Sequence, residues 1–236
     1  WAVVVALIPA LWFAANGLYQ VARKPSELFF PVSDTLHKSA SETWRAYESD
    51  FRAHATDVIT SDFLAGLAQV EASGNPVART YWRWSLGRNP FSIYQPASSA
   101  VGLFQITDGT FEQARRYCIH DHAVVEDGPW NDPESCWFNA FYSRIIPSHA
   151  IELTAAYLHH HVERITRRHP QRDPSLRAKH ELAAVIHLCG AGAAERLARR
   201  GYVLTSGQRC GTHDVGRYLE KVAKQQVQFA RLEGSS

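Results

Sequence analysis

Apolar positions dominate the start of the chain so completely that no helix face is left polar. From Trp1 to Ala22 no residue is charged and most are apolar. About 20 such residues span a bilayer as a helix. Pro9 is tolerated in a membrane helix, and Arg23 and Lys24 end the run. The expectation is a transmembrane signal-anchor over residues 1–22, retained because no small-residue cleavage site closes the apolar run. A cleaved signal peptide and a buried core helix are the rival readings. The chain contains no methionine, so its start is expected to lie downstream of the natural one.

The pattern then changes period. Residues 23–60 read as a linker with two prolines, followed by an amphipathic helix over about 33–59. There Leu36, Ala40, Trp44, Tyr47, Phe51 and Val58 recur at spacings of three, four and seven, which draws one apolar stripe. Ser61 is a good N-cap for a helix over Asp62 to Ala72, stopped by Gly74-Asn75-Pro76. Residues 77–99 show no clean period but hold Tyr81, Trp82, Trp84, Phe91 and Tyr94, an aromatic content that argues against disorder. Further helices are expected from Thr107 to Tyr117, from Asp132-Pro133-Glu134 onward, from Ser148 to Arg168, from Asp173 to Leu188, from Gly192 to Arg200, and from His213 to Phe229. Alternating strand patterns are scarce. The fold class expected is all-α, with an aromatic-rich insert that has room for a small β element, preceded by the transmembrane helix.

Bulk charge adds little. Lys and Arg number 25 against 23 Asp and Glu, for a net charge of +2. No nucleic-acid partner is called for, although a mild basic excess suits an anionic polymer. The four cysteines, Cys118, Cys136, Cys189 and Cys210, suggest disulfides in an exported chain. Local pairing, Cys118 with Cys136 and Cys189 with Cys210, is the simplest of three connectivities. Zinc held by Cys118, His120, His122 and Cys136 is the competitor.

Two segments carry candidate chemistry. Phe63, Leu64, Leu67 and Ala68 form the apolar face of the helix over 62–72, and Glu71 projects from that same face. Burial and a helix C-terminus both favour the neutral carboxyl, the form a general acid needs. The structural alternative is a Glu that pairs with an arginine or caps a turn. The second segment is Ser98 to Thr107, where Gly102 lets the backbone approach another surface and Gln105 offers both a donor and an acceptor.

Together these segments resemble the lytic transglycosylases of the soluble-transglycosylase type, relatives of goose-type lysozyme. The family's E-S-x-x-N-P stands here as Glu71-Ala72-Ser73-Gly74-Asn75-Pro76. Its G-L-M-Q-[IL] stands as Gly102-Leu103-Phe104-Gln105-Ile106, and its A-Y-N-A-G-x-G slot is filled by Ile186-His187-Leu188-Cys189-Gly190-Ala191-Gly192. A Tyr-Val-x-x-V-like element stands as Tyr218-Leu219-Glu220-Lys221-Val222. Ala72 takes the place of the family's Ser, Phe104 that of its Met, and His187-Leu188 that of its Tyr-Asn.

The resemblance implies a lysozyme-like catalytic domain over residues 61–232. It implies cleavage of the β-1,4 bond between N-acetylmuramic acid and N-acetylglucosamine in peptidoglycan, leaving 1,6-anhydro ends. Glu71 would be the catalytic acid and then base. Ser73, Ser98, Phe104, Gln105, His187 and Tyr218 would line the substrate groove. Tyr81, Trp82, Trp84 and Tyr94 stand between two of the motifs, where stacking on sugar rings and plain packing are the two readings. No cofactor and no metal is needed. The partners expected are peptidoglycan glycan strands and, through the N-terminal helix, the bacterial inner membrane, with the catalytic domain in the periplasm. Service to an envelope-spanning assembly is an expectation of the family alone. A lysozyme-type hydrolase, with Asp108 or Glu112 as second carboxylate, and a non-catalytic peptidoglycan-binding scaffold are the rival functions. His159-His160-His161 cannot converge on one ion, because adjacent helical residues point about 100° apart. Arg164, Arg167, Arg168, His169 and Arg172 read as a solvated basic face.

Overall fold

The computed structural model of the chain describes residues 2–29, 32–85, 89–132, 134–170 and 174–235. Trp1, Pro133, Arg172 and Asp173, on which parts of four expectations rest, lie outside these residues. Among the described residues helices dominate, in the order α1 Ala2–Arg23, α2 Ala40–Ala53, α3 Ser61–Ala72, α4 Asp108–Ala114, α5 Pro147–Arg168, α6 Leu176–Cys189, α7 Ala191–Arg199 and α8 Val215–Glu233. Three antiparallel two-stranded hairpins decorate them: β1 Trp82–Trp84 with β2 Tyr94–Pro96, β3 Tyr117–His120 with β4 Ala123–Glu126, and β5 Arg209–Cys210 with β6 His213–Asp214.

The transmembrane expectation is overturned. Among the described residues no helix is long and apolar enough to cross a membrane, so a single-pass anchor in the inner membrane is not supported. The reason lies in polar residues that run length had outweighed. Asn16 and Gln20 sit one turn apart on α1, both buried. Asn16 Nδ2 donates to Tyr94 O at 2.8 Å and Gln20 Nε2 to Phe91 O at 2.6 Å. Trp12 stacks on Trp84 and Tyr19 on Phe91. The second half of α1 is thus seated on the aromatic insert, with Leu7, Ile8, Leu11 and Leu18 exposed on its other side.

Local chemistry decides where the other elements stop. Ser39 and Glu42 form a capping box that starts α2 at Ala40, so the long helix expected over 33–59 breaks into a 3-10 turn at Ser33–Leu36 and a shorter α2. Thr60, not Ser61, is the N-cap of α3; the Ser61 hydroxyl instead donates to Glu233 Oε1 at 2.7 Å. α4 ends at Ala114 rather than Tyr117, because Tyr117–His120 pairs with Ala123–Glu126. Asp121 and His122, both at positive φ, make the two-residue turn between them. The helix expected from Asp132 onward is a 3-10 turn over Trp137–Phe141. The Asp132 side chain accepts from Glu134 N and closes a turn there instead.

Both local disulfides form, Cys118–Cys136 with Cα atoms 5.4 Å apart and Cys189–Cys210 with 5.6 Å. They remove the thiolates that the zinc reading required. His122 turns away too, with Nδ1 2.8 Å from Ala55 O.

The core gathers around α3 and α5. Phe63, Leu64 and Leu67 of α3 and Ile151, Leu153 and Leu158 of α5 are fully buried, each stabilising the fold by about 1.5–3 kcal/mol. α8 runs antiparallel to α3 in three rungs. Ser61 meets Glu233, Asp62 Oδ2 accepts from Gln226 Nε2 at 2.9 Å, and Glu71 meets Tyr218. Gly66 allows this approach, since a Cβ there would come within 2.9 Å of Gln226 N.

Candidate active site

Glu71 ends α3 one residue before its last position, beside the sharp turn that carries the chain away. Ser73 closes the helix in the left-handed region at φ 48°, and Gly74 follows at φ 67°, where a Cβ would run into the Thr43 side chain. Asn75, buried, donates to Ser33 O and accepts from Val77 N. The turn that follows Glu71 is therefore fixed by the buried Asn75 side chain.

The carboxylate faces a cleft of about 500 Å³ lined by Val70, Glu71, Leu188, Asp214, Tyr218 and a group of basic residues. The Glu71 side chain retains 16% of its accessible surface and His187 11%. Two groups hold one of its oxygens. Tyr218 OH donates to Glu71 Oε1, and His187 Nε2 lies 3.5 Å from the same atom. Among the described residues Oε2 has no hydrogen-bond partner. Burial, and then the negative charge of Glu71 and its acceptance of the Tyr218 proton, push the Tyr218 phenol well above its ordinary value. It stays a neutral donor through the physiological range.

The elements that bring these groups together are far apart in sequence. His187 stands near the end of α6, which Gly190 closes at φ 79°. Cys189 then ties this end to Cys210, in the β5–β6 hairpin whose Arg209, Thr212, His213 and Asp214 line the cleft. Asp214 caps α8 by accepting from Arg217 N at 2.9 Å, which starts the helix that presents Tyr218.

The segment around Gly102 packs beside the chain leaving α3. Gly102 N donates to Ala78 O at 2.9 Å, and a Cβ at Gly102 would fall 2.2 Å from Arg144 O. Gln105, at φ 48°, donates to Ala78 O and Gly102 O, both at 3.0 Å. It braces the loop with the amide that was expected to meet substrate. Phe104 is fully buried, so its expected place on the groove wall is corrected. As an apolar ring flanked by Leu103 and Ile106, both buried as well, it belongs to the core.

Of the residues singled out in the sequence, the structure brings Glu71, His187 and Tyr218 together. Ser73 lies two residues beyond Glu71 and serves the helix cap. Ser98 lines a separate, smaller cleft with Gln20, Arg23, Lys24 and Arg83. Trp82 Nε1 donates to the buried Glu27 at 2.7 Å, and Tyr81 is exposed; neither lines the Glu71 cleft. Asp108 pairs with Arg144 and Glu112 with Arg115, away from Glu71. The three adjacent histidines diverge: His159 meets Thr56 and Asp57, His160 stacks on Tyr117, and His161 accepts from Arg164. Asp214, Arg209, Arg217 and Lys221 were missed. The signal for two of them was the spacing of Arg217, Tyr218 and Lys221, which places all three near one face of a helix.

No known protein family, curated protein or solved structure matches this chain.

Proposed function

We propose that the chain is a peptidoglycan lytic transglycosylase, cleaving the β-1,4 bond between N-acetylmuramic acid and N-acetylglucosamine with Glu71 as acid and then base. The observation that carries this reading is the one-sided hold on Glu71. Tyr218 and His187 occupy Oε1, and Oε2 is left to the cleft. Protonated there, Glu71 gives its proton to the glycosidic oxygen as the C1–O bond breaks and an oxocarbenium-like state develops. The carboxylate then takes the proton of the C6 hydroxyl of the same muramic residue. O6 attacks C1, and a 1,6-anhydro end forms without water. Tyr218 keeps its own proton throughout and steadies the carboxylate between the two steps.

Asp214 supports a second reading, lysozyme-type hydrolysis, because it is the other carboxylate of the cleft. A hydrolase needs that carboxylate to activate water or to attack. One of its oxygens is already engaged in capping α8, and this favours the single-acid route.

The test is mass spectrometry of products from purified peptidoglycan treated with the chain and with its Glu71→Gln form. Expected are muropeptides ending in 1,6-anhydro-muramic acid, reduced by roughly a thousandfold in the variant. Reducing ends, lost on Asp214→Asn, would assign the hydrolase instead. No product from the unmodified chain, with binding retained, would refute the enzyme and leave a binding scaffold.

A further inference from the structure

One whole side of α1 is apolar, exposed and free of charge. Leu7, Leu11, Ala14, Leu18 and Ala22 recur at spacings of three and four, which places them on one stripe, and every one of them is exposed. Leu7 is 51% exposed, Leu11 67% and Leu18 73%. The other side is the one seated on the aromatic insert. Asn16 and Gln20, which bind its carbonyls, each stand two residues from Leu18, and two residues turn a helix by about 200°. Toward the N-terminus the bare surface widens to the full circumference, because every residue from Ala6 to Leu11 is exposed.

Water is a poor neighbour for such a surface. Soluble chains rarely leave large apolar patches uncovered, and a helix that is apolar around its circumference belongs in a core or in lipid. A second copy of the chain is the less suited cover. A protein interface sets a polar rim around its apolar centre, and α1 has no charged side chain before Arg23. A partner helix would also cover one stripe and leave the rest of Ala6 to Leu11 wet, whereas lipid closes around a helix. Charge points the same way. The first acid of the chain is Glu27, whose side chain is buried 3.2 Å from Lys24 Nζ. Arg23 and Arg83, both exposed, share a small cleft at the C-terminal end of α1. Asp108, in the same cleft, pairs with Arg144 at 2.7 Å.

We propose that α1 lies along the surface of a lipid bilayer with anionic headgroups, with Leu7, Leu11 and Leu18 among the acyl chains and Arg23 beside the phosphates. The stripe from Leu7 to Ala22 is about 24 Å long. It lies in the plane of the interface, its apolar side about 5–10 Å deep, and the insert holds the opposite side. Among the described residues no helix is long and apolar enough to cross a membrane, and docking of this kind needs none to. The proposal is independent of the chemistry of the Glu71 cleft.

The full chain is sedimented with vesicles of phosphatidylcholine and phosphatidylglycerol, and with vesicles of phosphatidylcholine alone. The mixed vesicles should bind it roughly fivefold tighter at low salt, and the gap should close as salt is raised. Combining Leu11→Asp with Leu18→Asp should weaken binding to the mixed vesicles by at least roughly tenfold. Both leucines are exposed, so the denaturation midpoint should stay that of the parent, which separates lost binding from lost folding. Val203 is an exposed apolar residue outside α1, and Val203→Asp should leave binding unchanged.

No sedimentation with either vesicle would overturn the proposal, as would equal sedimentation with both at low salt or a double variant that binds like its parent. Analytical ultracentrifugation without lipid supplies the remaining test. A monomer supports lipid as the cover of the stripe. A dimer that the same double variant dissociates assigns the stripe to a second copy of the chain and overturns the proposal.

Discussion

Gly66→Ala tests whether the spacing between α3 and α8 sets the contact of Tyr218 with Glu71. An alanine Cβ would lie 2.9 Å from Gln226 N and 3.2 Å from Gln226 Cα. Contacts between such atoms become favourable only near ~3.5 Å, so α8 has to retreat by roughly half an ångström. Two effects oppose each other. Alanine in a helix interior is favoured over glycine by about 1 kcal/mol, whereas overpacking against a neighbour costs about 1–3 kcal/mol. The neighbour here is backbone and cannot rotate aside, so the steric term wins, and the net loss of stability should be about 1 kcal/mol. The effect on chemistry should be larger. Tyr218 lies on the same helix about two turns from Gln226, and the retreat draws its hydroxyl away from Glu71. Small misplacements of catalytic groups cost up to about a hundredfold in rate. Denaturant unfolding gives the first quantity and product formation at saturating peptidoglycan gives the second. A variant as stable as the parent and equally active would refute the role assigned to this glycine.

Two further predictions use the other supports of the fold. Replacing Cys189 and Cys210 by alanine should cost about 3 kcal/mol in the unfolding free energy, as expected for a bridge whose cysteines are 21 residues apart. It should also slow cleavage by the folded protein, because the freed hairpin lines the cleft. The same change at Cys118 and Cys136 should cost similar stability and spare the rate, and equal rate losses from both pairs would contradict the assignment. Acid should destabilise the protein through His161. Burial, helped by the Arg164 guanidinium that donates to its ring, lowers this histidine from 6.5 to about 4. Below pH 6.5 the unfolded chain takes up a proton that the folded chain refuses. The stabilising contribution is therefore complete above pH 6.5 and is lost as pH falls toward about 4, by up to about 1.4 kcal/mol per pH unit. Denaturation midpoints at pH 7.5, 5.5 and 4.5 should fall less steeply in His161→Gln than in the parent, and parallel curves would sink the claim.

Much of the helical framework could be read from the chain because its signal is local. α3, α5, α6 and α8 each show an apolar stripe at helical spacing, and their ends lie within a few residues of the expected ones. α1 was misread because a long apolar run masks a short polar notch. Asn16 and Gln20 matter only once the insert supplies the carbonyls they bind, and that pairing spans more than 70 residues of sequence. The β3–β4 hairpin escaped notice for a related reason. Its strands are four residues each, too short for alternation to stand out, and its turn uses Asp121-His122 rather than a glycine pair.

The site divides along the same line. Glu71 was legible because an acid on an apolar helix face is visible within one helix, and Tyr218 and His187 because their neighbourhoods follow an ordered set of motifs. Phe104 and Gln105 belong to such a motif as well, yet one fills the core and the other braces a loop. Motif membership therefore locates a segment without saying which side chains reach the ligand. The basic residues of the cleft show the converse. Arg209 comes from a hairpin, and Arg217 and Lys221 from the helix that follows; no motif joins them. They share a cleft because Cys189–Cys210 fixes the hairpin to α6 and Asp214 starts α8 at the point where the hairpin ends. A charge pattern made this way depends on a covalent bond and a helix cap, so it is invisible to local periodicity. The Glu71 carboxyl can thus be read within one helix, whereas the basic residues that share its cleft are brought together only by the fold.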